Sequence, residues 1–198
     1  MDHVSEEAAH AKITTPDGQE CDLQEAWRGR PVVIAFVRHF GCLFCREQVA
    51  QLRDEIHHIH AHGAELVVIG NGSRHFASAF REALKLDSPL YVDTSRASYR
   101  ALGMRRGIAR TLGSWRTWLN LARALLKGAR QKRLQMIVRW WRQSVPVLIP
   151  GEHGDAWQLG GVLLVLPDGR IAYQYLSAIG GDHPPVYEVM AALVATRR

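Results

Sequence analysis

A chain of 198 residues is long enough to bury one sizeable core and short for two. Apolar residues make up 47% of it and no low-complexity run interrupts them, which excludes a disordered or fibrous chain. No stretch reaches the ~18 continuous apolar residues of a membrane span, and a formal net charge of +6 permits acidic partners without identifying one.

The first dozen residues are polar and hold no apolar run of the secretory type. Residues 1–12 are therefore expected as a flexible N-terminal segment, residues 13–198 as one domain, and the protein as cytoplasmic. Pro16-Asp17-Gly18 signals a turn, Cys21 reads as a half-buried thiol, and Leu23 to Trp27 as one short helical turn. Residues 32–37, Val-Val-Ile-Ala-Phe-Val, form an unbroken apolar run that reads as a buried strand. After the break Arg38-His39-Phe40-Gly41 comes Cys42-Leu43-Phe44-Cys45, and a helical pattern runs on to about His62, where Gly63 stops it. Val49, Leu52, Ile56 and Ile59 recur at three and four and mark its inward face. Further on, the patterns predict a strand over 64–69 closed by Gly70-Asn71-Gly72, a helix from Ser73 to about Leu86, a short strand over 90–92 and a helix over 95–102. Runs at 159–166 and 170–175, joined by Pro167-Asp168-Gly169, predict an antiparallel hairpin, and 185–196 a closing helix. The order implies an α/β fold: a central mixed sheet flanked by helices, on the thioredoxin plan.

The stretch 103–150 interrupts that plan. From Arg105 to Arg142 there are eleven Lys or Arg residues and no acidic one, interleaved with Trp115, Trp118, Trp140 and Trp141. It is expected as a helical basic insertion over about 105–145, broken near Gly128. Its aromatics can cover the domain while its arginines face water, or it can lie on an anionic membrane surface. Nucleic acid is disfavoured as a partner, because charge alone is unspecific and no binding motif accompanies it.

Two cysteines three apart at a strand-to-helix junction stand where unpaired N–H groups and the positive end of the helix dipole favour a thiolate. In a reducing compartment such a pair is a working redox or metal motif more often than a staple. Zinc wants four ligands, and no second C-x-x-C exists. His57, His58, His60 and His62 lie about 20 Å further along the helix axis, so no metal is assigned. Cys42, nearest the helix N-terminus, is expected to be the more exposed thiol and to attack. Cys45 would then resolve the product into a Cys42–Cys45 disulfide; exchanged roles are the alternative. Arg38, His39 and Arg46 are candidates to lower the thiol pKa, while Arg46 can equally be an exposed first-turn arginine. No bound cofactor is needed, and an external thiol such as thioredoxin or glutathione would complete the cycle. Asp182-His183 reads equally as a loop near the site or a capped turn before the last helix.

Four pieces together resemble the peroxiredoxin-like branch of the AhpC/TSA family in the thioredoxin superfamily. They are Arg38-His-Phe-Gly-Cys-Leu-Phe-Cys-Arg-Glu47, the Trp- and Arg-rich middle, Gln158-Leu-Gly-Gly-Val-Leu-Leu-Val165, and Gly181-Asp-His-Pro-Pro185. The resemblance runs from Ile13 onward and implies a thioredoxin-like fold with thiol-based antioxidant activity on a peroxide or disulfide. Peroxiredoxins carry P-x-x-x-T-x-x-C around the attacking cysteine. With Cys42 in that place, Ala35 and His39 replace the proline and threonine; with Cys45, Arg38 and Cys42 do. The arginine that peroxiredoxins place before the late strand is replaced by Leu159-Gly160-Gly161, where Gly160 and Gly161 are expected to let a substrate approach the backbone. A thiol-dependent oxidoreductase is the expectation. The competing reading is a redox-sensing or docking module acting through the basic stretch.

Overall fold

The computed structural model describes residues 3–107 and 154–196, so the expected basic insertion lies, beyond Gly107, outside the described residues. The strands are β1 (Lys12–Thr14), β2 (Glu20–Asp22), β3 (Val32–Val37), β4 (Glu65–Gly70), β5 (Leu90–Val92), β6 (Gly161–Val165) and β7 (Ile171–Leu176). Among the described residues they make one mixed sheet, ordered β2-β1-β5-β4-β3-β6-β7. β3 lies parallel to β4, with Val32 opposite Glu65, and antiparallel to β6, with Val32 opposite Val165.

All six residues of β3 are buried, because both faces of the sheet are covered. Alternate side chains point to opposite faces. Val33, Ala35 and Val37 join Val68, Val162 and Leu164 in one core, and Val32, Ile34 and Phe36 join Val67, Ile69 and Leu163 in the other. The first core is closed by α2 (Leu43–Asp54), α3 (Ile56–Ala61), α4 (Arg74–Leu84) and, beyond β7, α6 (Val186–Ala195), through Val49, Leu52, Ile59, Phe80, Leu84, Val189 and Leu193. The second is closed by α1 (Glu6–Ala9), α5 (Ala97–Ala101) and a 3-10 turn over Leu23–Trp27, through Ala8, Tyr99, Leu23 and Trp27. No described helix is long and apolar enough to cross a membrane.

Two expectations change. From His3 onward the N-terminal segment is part of the domain. The Ser5 side chain caps α1, whose first turn carries Glu6 and Glu7 at the positive end of the helix dipole. Ala8 is fully buried, and the Val4 N–H donates to the Gly169 carbonyl at 2.9 Å. The helix expected from Cys42 to about His62 is two, broken at Glu55 (φ −94°, ψ 8°). The Glu55 carboxylate, 2.6 Å from His58 Nδ1, serves the first turn of the second helix, and Ile59 still reaches the core.

Candidate active site

β3 ends at Val37, and residues 38–41 turn the chain across the carboxyl edge of the sheet into α2. Phe40 pins this turn. It is fully buried, edge-on to Phe80 at 5.5 Å, and its ring fills the space where a Cβ on Gly70 would stand, 2.5 Å away. The Cys42 N–H donates to the His39 carbonyl at 3.0 Å, and Cys42 precedes α2 in extended backbone (φ −76°, ψ 121°). Cys45 follows in the first turn. The structure thus gathers Arg38, His39, Cys42, Cys45 and Arg46 around one helix N-terminus.

The expected difference in exposure is absent: Cys42 and Cys45 are each 5% exposed, and both belong to the first core. Their electrostatics differ. The Cys42 thiol is held well below its ordinary range, chiefly because the Cys45 thiol donates its hydrogen to the Cys42 sulfur. Burial opposes this, while attraction from Arg38, then His39, and the nearby Cys45 N–H reinforces it. Cys42 makes no capping hydrogen bond with its side chain. The Cys45 thiol is pushed well up, first by burial and then by donating to Cys42 and facing its charge. Arg46 is half-buried, with its guanidinium 5.5 Å from the centre of the Phe80 ring. Burial pushes its pKa down to about 10, and the Cys42 charge pulls it back up.

Arg38, buried at the end of β3, has its guanidinium aimed by backbone. Nε donates to the Gln158 carbonyl at 3.2 Å and Nη2 to the Ala156 carbonyl at 2.6 Å. That leaves Nη1 directed at the Cys42 sulfur, 3.9 Å away. The Arg38 backbone N–H donates to Cys45 Sγ at 3.3 Å. Asn71, just past β4, donates to the Arg38 carbonyl and accepts from the Asp155 N–H. Sequence reasoning missed Asn71, Asp155 and the two carbonyls. Asn71, set between two glycines after a strand, was the one local signal; a carbonyl has none.

Beside the thiols lies a shallow hollow, open to solvent and lined by Arg38, Cys45, Phe44, Gln48, Gly160 and His183 among others. Cys45 borders it and Cys42 does not, although the charge distribution favours Cys42 as thiolate. The thiolate is the reactive form of a cysteine, and it is the Cys42 sulfur that Arg38 Nη1 faces. The two glycines have a packing role of their own. A Cβ on Gly160 would collide with the Phe36 carbonyl oxygen, and one on Gly161 would come within 2.5 Å of the Tyr175 carbonyl oxygen. Close strand approach demands both, and of the two Gly160 borders the hollow. Asp182 shapes the rim: its carboxylate accepts from Tyr175 Oη at 2.5 Å and the Ala178 N–H at 2.7 Å. The helical histidines serve elsewhere, His58 meeting Glu55 and His60 meeting Glu65. No group of three His, Cys, Asp or Glu among the described residues is arranged to hold a metal.

Against known proteins, the AhpC/TSA antioxidant enzyme family matches residues 51–178, a span that begins after the two cysteines. The thioredoxin-like protein AAED1, chloroplastic, of Arabidopsis thaliana is 33% identical over 185 residues, covering 93% of this chain and 70% of that protein. Peroxiredoxin-like 2C of Homo sapiens is 30% identical over 186 residues, covering 92% and 78%. Among solved structures, peroxidoxin BcpB from Mycobacterium tuberculosis superposes with a TM-score of 0.66 over 100% of this chain and 97% of that one; at 15% identity this likeness speaks to the fold.

Proposed function

The chain belongs to the AhpC/TSA family, in its peroxiredoxin-like branch, and from that premise we propose that it is a thiol-dependent oxidoreductase reducing a peroxide or disulfide through Cys42 and Cys45. One observation carries the reading: two cysteines at a helix N-terminus, with a pinned guanidinium 3.9 Å from the Cys42 sulfur and a backbone N–H 3.3 Å from the Cys45 sulfur; the lowering of the Cys42 thiol agrees with it. The Cys42 thiolate attacks one peroxide oxygen, the O–O bond breaks, and the departing oxyanion takes up a proton. Cys42 becomes a sulfenic acid. The Cys45 thiol then displaces water from it, forming a disulfide. An external thiol such as thioredoxin or glutathione returns two electrons and two protons by exchange. A reducing compartment such as the cytoplasm suits this cycle, and no bound cofactor enters it.

Equimolar hydrogen peroxide should link the Cys42 and Cys45 peptides with loss of two hydrogens, read by mass spectrometry. Steady-state turnover of hydrogen peroxide, a lipid hydroperoxide and a model disulfide should follow in a thioredoxin- or glutathione-coupled assay. No linkage and no turnover with any of the three would overturn the proposal. A second reading exchanges the cysteines, because Cys45 borders the hollow. A sulfenic acid trapped on Cys42 in Cys45→Ser supports the first assignment; one trapped only on Cys45 in Cys42→Ser establishes the exchange.

A further inference from the structure

The chain on either side of residues 108–153 is stitched together beside the thiols. The Leu159 N–H donates to the Arg105 carbonyl and the Gly107 N–H to the Trp157 carbonyl, each at 3.0 Å. One carboxylate holds this seam. Asp155 Oδ2 pairs with Arg96 and, at 2.5 Å, with Arg106, while Oδ1 accepts from the Trp157 N–H at 2.9 Å. The Asp155 side chain is 12% exposed. Its backbone N–H donates to Asn71 Oδ1, and Asn71 Nδ2 donates to the Arg38 carbonyl. Gly154, at φ +98°, makes the approach possible, since a Cβ there would strike Asn71. The connections close a circuit: Arg38 carbonyl, Asn71, Asp155, the Ala156 and Gln158 carbonyls, and the Arg38 guanidinium.

The geometry points to Asp155 as a positioning residue for the redox reaction: by fixing residues 155–158 it aims the carbonyls that hold Arg38 Nη1 toward the Cys42 sulfur. This rests on the reading above that Arg38 serves Cys42. A guanidinium is a rigid fork on a flexible stem, so committing two of its donors sets the direction of a third. Its anchors are neutral carbonyls, which leave its positive charge undivided for the thiolate. Asp155 bears a negative charge that would compete for Arg38, but Arg96 and Arg106 neutralise it at the seam. Among the described residues, the charged or titratable groups facing Cys42 are then Cys45, Arg38, His39 and Arg46.

The test is the pH profile of Cys42 alkylation by iodoacetamide in the reduced full chain, followed on the Cys42 peptide, for wild type, Asp155→Asn, Arg38→Met and the double variant. Asp155→Asn removes a negative charge, so a pure charge effect would ease thiolate formation; loss of positioning does the opposite. The expected result is slower alkylation near neutral pH, on the order of tenfold, with the profile displaced to higher pH and no further slowing in the double variant beyond Arg38→Met. A profile unmoved or displaced to lower pH in Asp155→Asn, while Arg38→Met displaces it upward, overturns the positioning role and leaves Arg38 in place. An unmoved profile in Arg38→Met instead removes the reading on which the inference stands. Should Asp155→Asn not fold, Asn71→Ser cuts the same circuit and must slow alkylation in the same direction; an unchanged rate there counts against the inference.

Discussion

The two sulfurs are buried to the same extent and yet carry opposite pKa directions. Burial alone raises any thiol, so the asymmetry comes from which sulfur donates and which accepts. A hydrogen bond to a charged group is worth about 1.5–3 kcal/mol and works against the burial that both sulfurs share. Cys45→Ala removes that donor, and the Cys42 profile should move to higher pH. Because only the thiolate reacts, alkylation of Cys42 near neutral pH should slow by about ten- to a hundredfold. Equal rates in wild type and Cys45→Ala would show that the donor does not govern the thiol. The candidates Arg38, His39 and Arg46 were legible because residue type and distance along the chain suffice to place a cation near a helix terminus. Which nitrogen of Arg38 faces sulfur was not, since its anchor at Gln158 lies 120 residues away.

Among the elements, β6 and the residue before it show how one local pattern can answer to a demand that the sequence does not display. Gly160 and Gly161 open the late strand next to the site, and substrate access was the expectation drawn from them. Their surroundings say that β3 and β7 leave no room for a side chain: the Phe36 and Tyr175 carbonyls occupy the Cβ positions. Gly160→Ala should therefore destabilise the fold by about 1–3 kcal/mol, as overpacking does, read as a lower urea midpoint at unchanged slope. An unaltered midpoint with a changed KM would favour access instead. The break between α2 and α3 is likewise invisible to periodicity. Val49, Leu52, Ile56 and Ile59 keep a helical spacing across Glu55, and the kink alters where the second half points without altering the pattern.

For the molecule as a whole, the end of the sheet that carries the two cysteines is tied to the opposite layer by Tyr99. The side chain is fully buried in the second core, and its hydroxyl donates toward the Val37 carbonyl at 2.6 Å and the Ile69 carbonyl at 3.1 Å. Both carbonyls lie at the ends of the strands from which the site turn and Asn71 emerge. Tyr99→Phe leaves these acceptors without that donor and should cost about 1–3 kcal/mol. At roughly 2–4 °C per kcal/mol for a chain of this size, the melting temperature should fall by several degrees. Iodoacetamide reactivity of Cys42 in the folded variant should stay near the wild-type rate, because Tyr99 braces the platform and does not touch the Cys42 sulfur. A tenfold loss of reactivity at unchanged melting temperature would contradict that division.

The sequence by itself determined the strand at 32–37, the two cysteines at its carboxyl end, the alternation of strands and helices, and hence the sheet. These follow from apolar period, β-branching and capping residues, which act over a few neighbouring positions. Tertiary structure alone decided that the two thiols are equally buried, that Gly160 answers to a carbonyl, that the chain from His3 packs on the core, and that Arg38 is aimed from residues 155–158. The physical reason is common to all four. Each depends on backbone groups or surfaces brought together from distant positions, and a peptide carbonyl has the same chemistry whichever residue carries it, so nothing in the order of side chains announces which one will be used.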